Sequence, residues 1–172
     1  MDADTYVEWE SNLHFLLKHM FVNGPYVGVL GFSQGGNIAL LLTAIKESGC
    51  MPWLSFDFVV LMSASRYSWC DDFKTTAPLR AALPPHMFGG GPGKGNEPLL
   101  EAGYKGSQPK LATPSLHIVG SMDPMKDAGV AMSELFTSNT RRLEEYKNAH
   151  KPPTAQAAGV ALAEFVRAAG SV

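Results

Sequence analysis

The chain has 172 residues, 45% hydrophobic and 17% charged, with a formal net charge of -2. That is one domain's worth of globular sequence with enough length for a real core, and nothing in it reads as disordered. With near-neutral charge and no basic run, the chain offers no electrostatic case for nucleic acid or an anionic membrane surface as partner.

Two cysteines, Cys50 and Cys70, are too few for a disulfide framework or a zinc site and read by default as reduced thiols of an intracellular protein, a single bridge being the alternative. The opening MDADTYVEWE lacks the basic and apolar regions of a signal peptide, and no apolar stretch reaches membrane-spanning length. The expected location is the cytoplasm, with no membrane span.

The first helix is expected from Thr5, which has capping-box spacing to Glu8. Tyr6, Trp9, Leu13, Leu16 and Met20 follow at helical spacing, and Asn23-Gly24-Pro25 ends the helix. His14 and His19 on this helix have no ligand partners and read as surface or interface residues. A strand is expected at Tyr26–Gly31, then a largely buried helix from Gln34 to Glu47 carrying Ile38, Leu40, Leu41, Leu42 and Ile45. A second strand at 57–63 contains Phe58-Val59-Val60-Leu61-Met62, the continuous apolar run of a sheet covered on both faces.

Residues 65–113 are irregular and rich in Pro and Gly, and read as an insert in a single domain spanning 1–172. Beyond it come a strand at 115–120, a helix at 126–136, a strand at 142–146 and a closing helix at 154–168. Strand and helix alternate over short loops, which predicts an α/β fold with a mostly parallel sheet.

The junction of the first strand and second helix carries the chemistry. In Gly31-Phe32-Ser33-Gln34-Gly35-Gly36 an apolar strand enters a glycine turn that opens straight into an apolar helix. This is the setting of a nucleophile elbow, where small neighbours two residues either side of the serine keep the tight turn uncrowded and open to substrate. A serine nucleophile needs a base, and the base an orienting acid, in the chain order Ser, acid, His on this type of fold. Asp123 follows the strand ending at Gly120 by three residues, and His150 lies between the last strand and the last helix.

Ser33, Asp123 and His150 are therefore the expected catalytic set, with the Gln34 backbone N–H as an oxyanion donor. Such chemistry calls for no metal or cofactor. Asp127 is the nearest competitor for the acid but falls inside a helix, and Asp123 before Pro124 also suits a plain turn. His117 belongs to a strand and reads as a core residue; His86 belongs to the insert. The run Phe88-Gly89-Gly90-Gly91-Pro92-Gly93-Lys94-Gly95 lacks the first glycine and the final Ser/Thr of a phosphate loop and reads as a loop. Tyr67, Trp69, Met87 and Phe88 in the insert are candidates to roof a substrate pocket, the alternative being that they anchor the loop.

VLGFSQGG around Ser33, DFVVLMSASR, SLHIVGSMDPM around Asp123, and His150 before Pro152 together resemble the FSH, or ovarian-cancer-gene-2-like, family of serine hydrolases. The likeness runs from about Tyr6 onward. The GFSQGG core is also shared with acyl-protein thioesterases. The resemblance implies an α/β-hydrolase fold and hydrolysis of small-molecule acyl esters or thioesters through an acyl-serine. Two departures stand out. Members of the family approach the histidine through a small, glycine-rich stretch, whereas this chain reads Lys147-Asn148-Ala149-His150-Lys151-Pro152. The strands that precede the elbow strand in such folds, with their second oxyanion donor, have no counterpart before Tyr6. The elbow strand is then expected at an exposed sheet edge, available for self-association. A truncated gene model, a chain completed by a partner and a catalytically impaired binding module all fit that pattern.

Overall fold

The computed structural model describes residues 4–64 and 110–169. Helix α1 runs Asp4–Asn23, strand β1 Gly28–Phe32, helix α2 Gln34–Glu47 and strand β2 Phe58–Met62. After the undescribed stretch come β3 (Ser115–Gly120), α3 (Lys126–Ser133), β4 (Arg141–Tyr146) and α4 (Ala155–Ala169). The four strands form one parallel sheet in the order β1-β2-β3-β4. Phe32 pairs with Met62, Met62 with Ile118, and Gly120 with Tyr146, so the carboxyl ends of all four strands share one rim.

The two faces of the sheet explain its uninterrupted apolar runs. Val59 and Leu61 of β2 face one core, with Leu13 and Leu17 of α1, Leu40 and Ile45 of α2, and Met132 at the end of α3. Val60 faces the other way, into a second core with Leu116 and Ile118 of β3 and Phe165 of α4. Alternate side chains of one strand thus serve opposite cores, and neither face has room for a polar stripe. At the sheet's outer end β4 reads RRLEEY, and its charges bind neighbours: Arg142 bridges Glu144 at 2.6 Å and Glu164 of α4 at 3.1 Å.

The return from the insert into β3 is fastened to the end of α2. The Glu47 carboxylate accepts the Ala112 and Thr113 N–H groups at 2.9 and 2.7 Å and the Thr113 hydroxyl at 2.7 Å. Lys46 Nζ donates to the Phe56 carbonyl at 2.6 Å and to Thr113 Oγ1 at 3.2 Å. These bonds set where β3 enters the sheet, and so where its carboxyl end delivers Asp123.

His117 lies in β3, fully buried, with its ring edge-on to Phe136 and Nε2 3.1 Å from Ser115 Oγ. Burial, helped by the Arg141 charge, lowers its pKa from 6.5 to about 3. The unfolded chain therefore takes up a proton on His117 below pH 6.5 that the folded chain refuses until about pH 3. Stability from this group is complete above pH 6.5 and is lost as pH falls toward 3, at up to about 1.4 kcal/mol per pH unit. Urea melts across this range should show that slope, and His117→Gln, which does not titrate, should flatten it. An unchanged slope in the variant would contradict the assignment.

Several boundaries differ from the sequence expectation. Asp4 is already helical, which puts Thr5 inside α1 rather than at its cap. β1 begins at Gly28, where pairing with Phe58 starts, and runs through Phe32. α3 stops at Ser133 rather than Phe136. Glu134, Leu135 and Phe136 each bond three residues back, at 3.1 Å, and Phe136 then bridges Leu111. That tightened last turn frees the backbone for the bridge. Among the described residues, β1 is an edge strand as expected, with Leu30 53% exposed and Val27, just before the strand, 67% exposed.

Candidate active site

Ser33 is built by the strand-to-helix turn. Its N–H bonds the Met62 carbonyl at 2.8 Å, continuing the β1–β2 ladder, while its own carbonyl accepts from Gly36 and Asn37 as α2 begins. To be last in the ladder and first in the helix, Ser33 adopts φ 52° and ψ -120°, a conformation L-residues rarely hold. A serine at a helix N-cap ordinarily bonds a first-turn N–H with its own hydroxyl. Ser33 makes no such cap bond. Its Oγ instead lies 2.9 Å from His150 Nε2.

The turn is possible because Gly31 has no side chain: a Cβ there would run into the Gly35 carbonyl and sit 2.6 Å from Gly36 N. Gly36 is equally closed, 2.5 Å from the Ala64 methyl. The expectation that Gly35 is also needed to avoid crowding is corrected, since a Cβ there meets nothing within 4 Å. It is the Gly35 carbonyl, not its side-chain position, that presses on Gly31.

Asp123 follows β3 and is buried, 6% exposed. Its Oδ1 accepts the Met125 N–H at 2.8 Å, and Oδ2 lies 2.9 Å from His150 Nδ1. The turn role and the partnership with histidine thus belong to one side chain. Burial alone would raise the Asp123 pKa, but hydrogen bonds from Met125 N–H, His150 and the Ser63 hydroxyl outweigh it and hold the carboxyl below its usual range. An ionised carboxylate only accepts, so His150 carries its proton on Nδ1 and turns the Nε2 lone pair to Ser33. The ring also packs against Phe32, with centroids 5.4 Å apart.

Of the other candidates, Gln34 is the first residue of α2, where helix geometry leaves N–H groups without intrahelical partners. Asp127 lies exposed in the first turn of α3. Tyr67, Trp69, Met87 and Phe88 lie outside the described residues, as do Cys70, His86 and Gly89–Gly95.

Sequence reasoning missed Ser63. It follows β2 on the same rim, is buried, holds φ 44°, and helps to hold the Asp123 carboxyl below its usual range. The available signal was a polar residue directly after an apolar strand, at the end where the other three residues gather. Ser63→Ala removes one of the groups that keep Asp123 ionised. Because a depressed carboxyl pKa adds stability that is lost as pH falls through it, acid unfolding of the variant should begin at a higher pH than in the wild type. A circular-dichroism acid titration checks this; coincident curves would count against that role of Ser63.

A serine at such an elbow, relayed through histidine to a buried carboxylate at the carboxyl rim of a parallel sheet, is the arrangement of an α/β-hydrolase. Solved structures bear out that fold. BpoC from Mycobacterium tuberculosis H37Rv, described as a non-heme bromoperoxidase, superposes with a TM-score of 0.55 at 15% identity over 93% of this chain and 73% of its own. The hyperthermophilic esterase from the archaeon Pyrobaculum calidifontis gives 0.50 at 15% identity, over 94% and 60%.

The model of the family described as serine hydrolase (FSH1) matches residues 1–161, and the chain belongs to that family. Esterase OVCA2 of Xenopus tropicalis is 28% identical over 130 residues, 76% of this chain and 42% of that protein. A Schizosaccharomyces pombe protein named dihydrofolate reductase is 30% identical over 122 residues, 71% of this chain and 21% of that protein. The chain therefore spans from about a fifth to two fifths of the length of these two relatives.

Proposed function

We propose that this chain hydrolyses small-molecule carboxylic esters, and the related thioesters, through an acyl intermediate on Ser33. His150 Nε2 takes the Ser33 proton as Oγ attacks the acyl carbonyl, and the same proton then goes to the departing alcohol or thiol. Asp123 keeps the imidazole in the required tautomer and balances its charge while it is protonated. The Gln34 N–H, at the start of α2, donates to the oxyanion. Water deprotonated by His150 then attacks the acyl-serine, releasing the acid and restoring Ser33.

The observation that carries this reading is the pair of 2.9 Å contacts joining Ser33 to His150 and His150 to Asp123. Membership of a serine hydrolase family supports it, as does the esterase named among the relatives. Turnover of p-nitrophenyl acetate and butyrate and of an acyl-coenzyme A thioester tests it, with Ser33→Ala as control. Ester cleavage lost in the variant supports the proposal; equal rates in both proteins contradict it.

The open edge that β1 presents among the described residues supports a second reading, self-association of two copies through β1. A groove of about 350 Å³ flanks that strand, lined by Leu16, Met20, Tyr26, Val29, Leu30 and Ile38. An unpaired strand beside apolar surface is a template for another strand. Light scattering coupled to size exclusion should then report a dimer, and a monomer at high concentration would end this reading.

A further inference from the structure

We infer that Asn148 is a positioning residue, the one that aims His150 in this chain. The inference rests on the triad reading above. The departure at Lys147-Asn148-Ala149-His150 leaves the histidine loop without a glycine-rich approach, and the structure contains a device that fixes the loop another way.

Asn148 clasps both flanks of His150 with one side chain. On the near side, its Oδ1 accepts the Ala149 N–H at 3.0 Å. On the far side, its Nδ2 donates to the Lys151 carbonyl at 3.0 Å and the Pro152 carbonyl at 3.2 Å. The loop is closed a second time by the Lys151 N–H on the Ala149 carbonyl at 2.8 Å. His150 is held at the apex.

The backbone of the same residue docks this closed loop onto its neighbours. The Asn148 N–H bonds the Tyr146 carbonyl at 2.7 Å, fixing the exit from β4. Its carbonyl accepts the Met122 N–H at 3.0 Å, one residue before Asp123. The acid's loop and the histidine's loop are thereby tied together beside the pair they carry. Gly120 makes the approach possible: a Cβ there would run into the Asn148 carbonyl and lie 2.7 Å from that of Ala149.

Asn suits this position because a short amide offers an acceptor and two donors within reach of adjacent backbone. Asp keeps the acceptor, loses the donors and sets a negative charge against two carbonyls. Ala loses all three side-chain bonds. The contacts that Ser33, Asp123 and Phe32 make are with the imidazole itself, so beyond the Lys151–Ala149 bond it is Asn148 that holds the loop backbone. Displacing a catalytic group by about 1 Å costs roughly 10²-fold in rate.

The experiment uses the full chain and two variants, Asn148→Ala and Asn148→Asp. Proton NMR reads the hydrogen-bonded His150 Nδ1 proton facing Asp123, assigned by its loss in His150→Gln, and needs no turnover. The wild type should show this downfield resonance, and both variants should broaden or lose it through faster exchange. With p-nitrophenyl butyrate, kcat should fall roughly ten- to hundredfold while KM stays within about twofold, and thermal melting should hold.

Retention of the resonance and of kcat in both variants overturns the inference. So does loss of the resonance only together with the fold in both, and so does a wild type without the resonance. A wild type that shows the resonance but no Ser33-dependent turnover overturns the proposed hydrolysis. In that case the variants' resonances still decide the role of Asn148.

Discussion

Replacing Asp123 by asparagine should lower kcat/KM for an activated ester by about 10³–10⁴-fold while leaving the fold intact. The side chain sits in a turn where Oδ1 already accepts the Met125 N–H, a bond that the asparagine oxygen reproduces. What the amide cannot reproduce is the carboxylate oxygen 2.9 Å from His150 Nδ1. An amide nitrogen at that place donates, so it favours the tautomer with the proton on Nε2. That tautomer points a hydrogen, not a lone pair, at Ser33 Oγ and cannot accept the serine proton. Steady-state kinetics beside a thermal melt separate the outcomes. A fall of less than tenfold with an unchanged melt would mean that Asp123 does not orient the base.

Gly31→Ala should have the largest effect on stability, because the new methyl has nowhere to go. Its Cβ would collide with the backbone of Gly35 and Gly36, which cannot swing aside as a flexible side chain could. Overpacking of this kind costs about 1–3 kcal/mol or more. Gly35→Ala is the matched control, since open space surrounds that position and the change should be mild for stability. Urea denaturation of the pair reads the difference directly; equal midpoints would contradict the elbow geometry.

The residues legible in the sequence were those whose chemistry coincides with a local pattern. Ser33 announces itself because a tight strand-to-helix turn of this kind needs glycine at a fixed offset. Asp123 and His150 are legible because parallel strands deliver their following loops to one rim, so strand ends in the right order suffice. The double cover of β2 was legible in Phe58–Met62 for the same reason.

Ser63 and Asn148 were not legible because their roles depend on where distant segments meet. Ser63 reaches Asp123 across 60 residues of sequence, from a backbone conformation that no composition signal demands. Asn148 acts on carbonyls whose directions are fixed only after the loop closes. The helix α3 ends at Ser133, short of its periodic pattern, where the backbone turns toward the bridge of Phe136 to Leu111, a non-local contact. Periodicity reports which side chains face a core and says nothing about such a contact.

The central claim is that Ser33 is a nucleophile activated in the folded chain. Reaction with a fluorophosphonate probe, followed by intact mass and peptide mapping, tests it most directly. One adduct is expected, on the peptide containing Ser33, absent in Ser33→Ala and strongly slowed in Asp123→Asn. Folded wild-type protein that takes up no probe, or a Ser33→Ala variant labelled to the same extent, would contradict it.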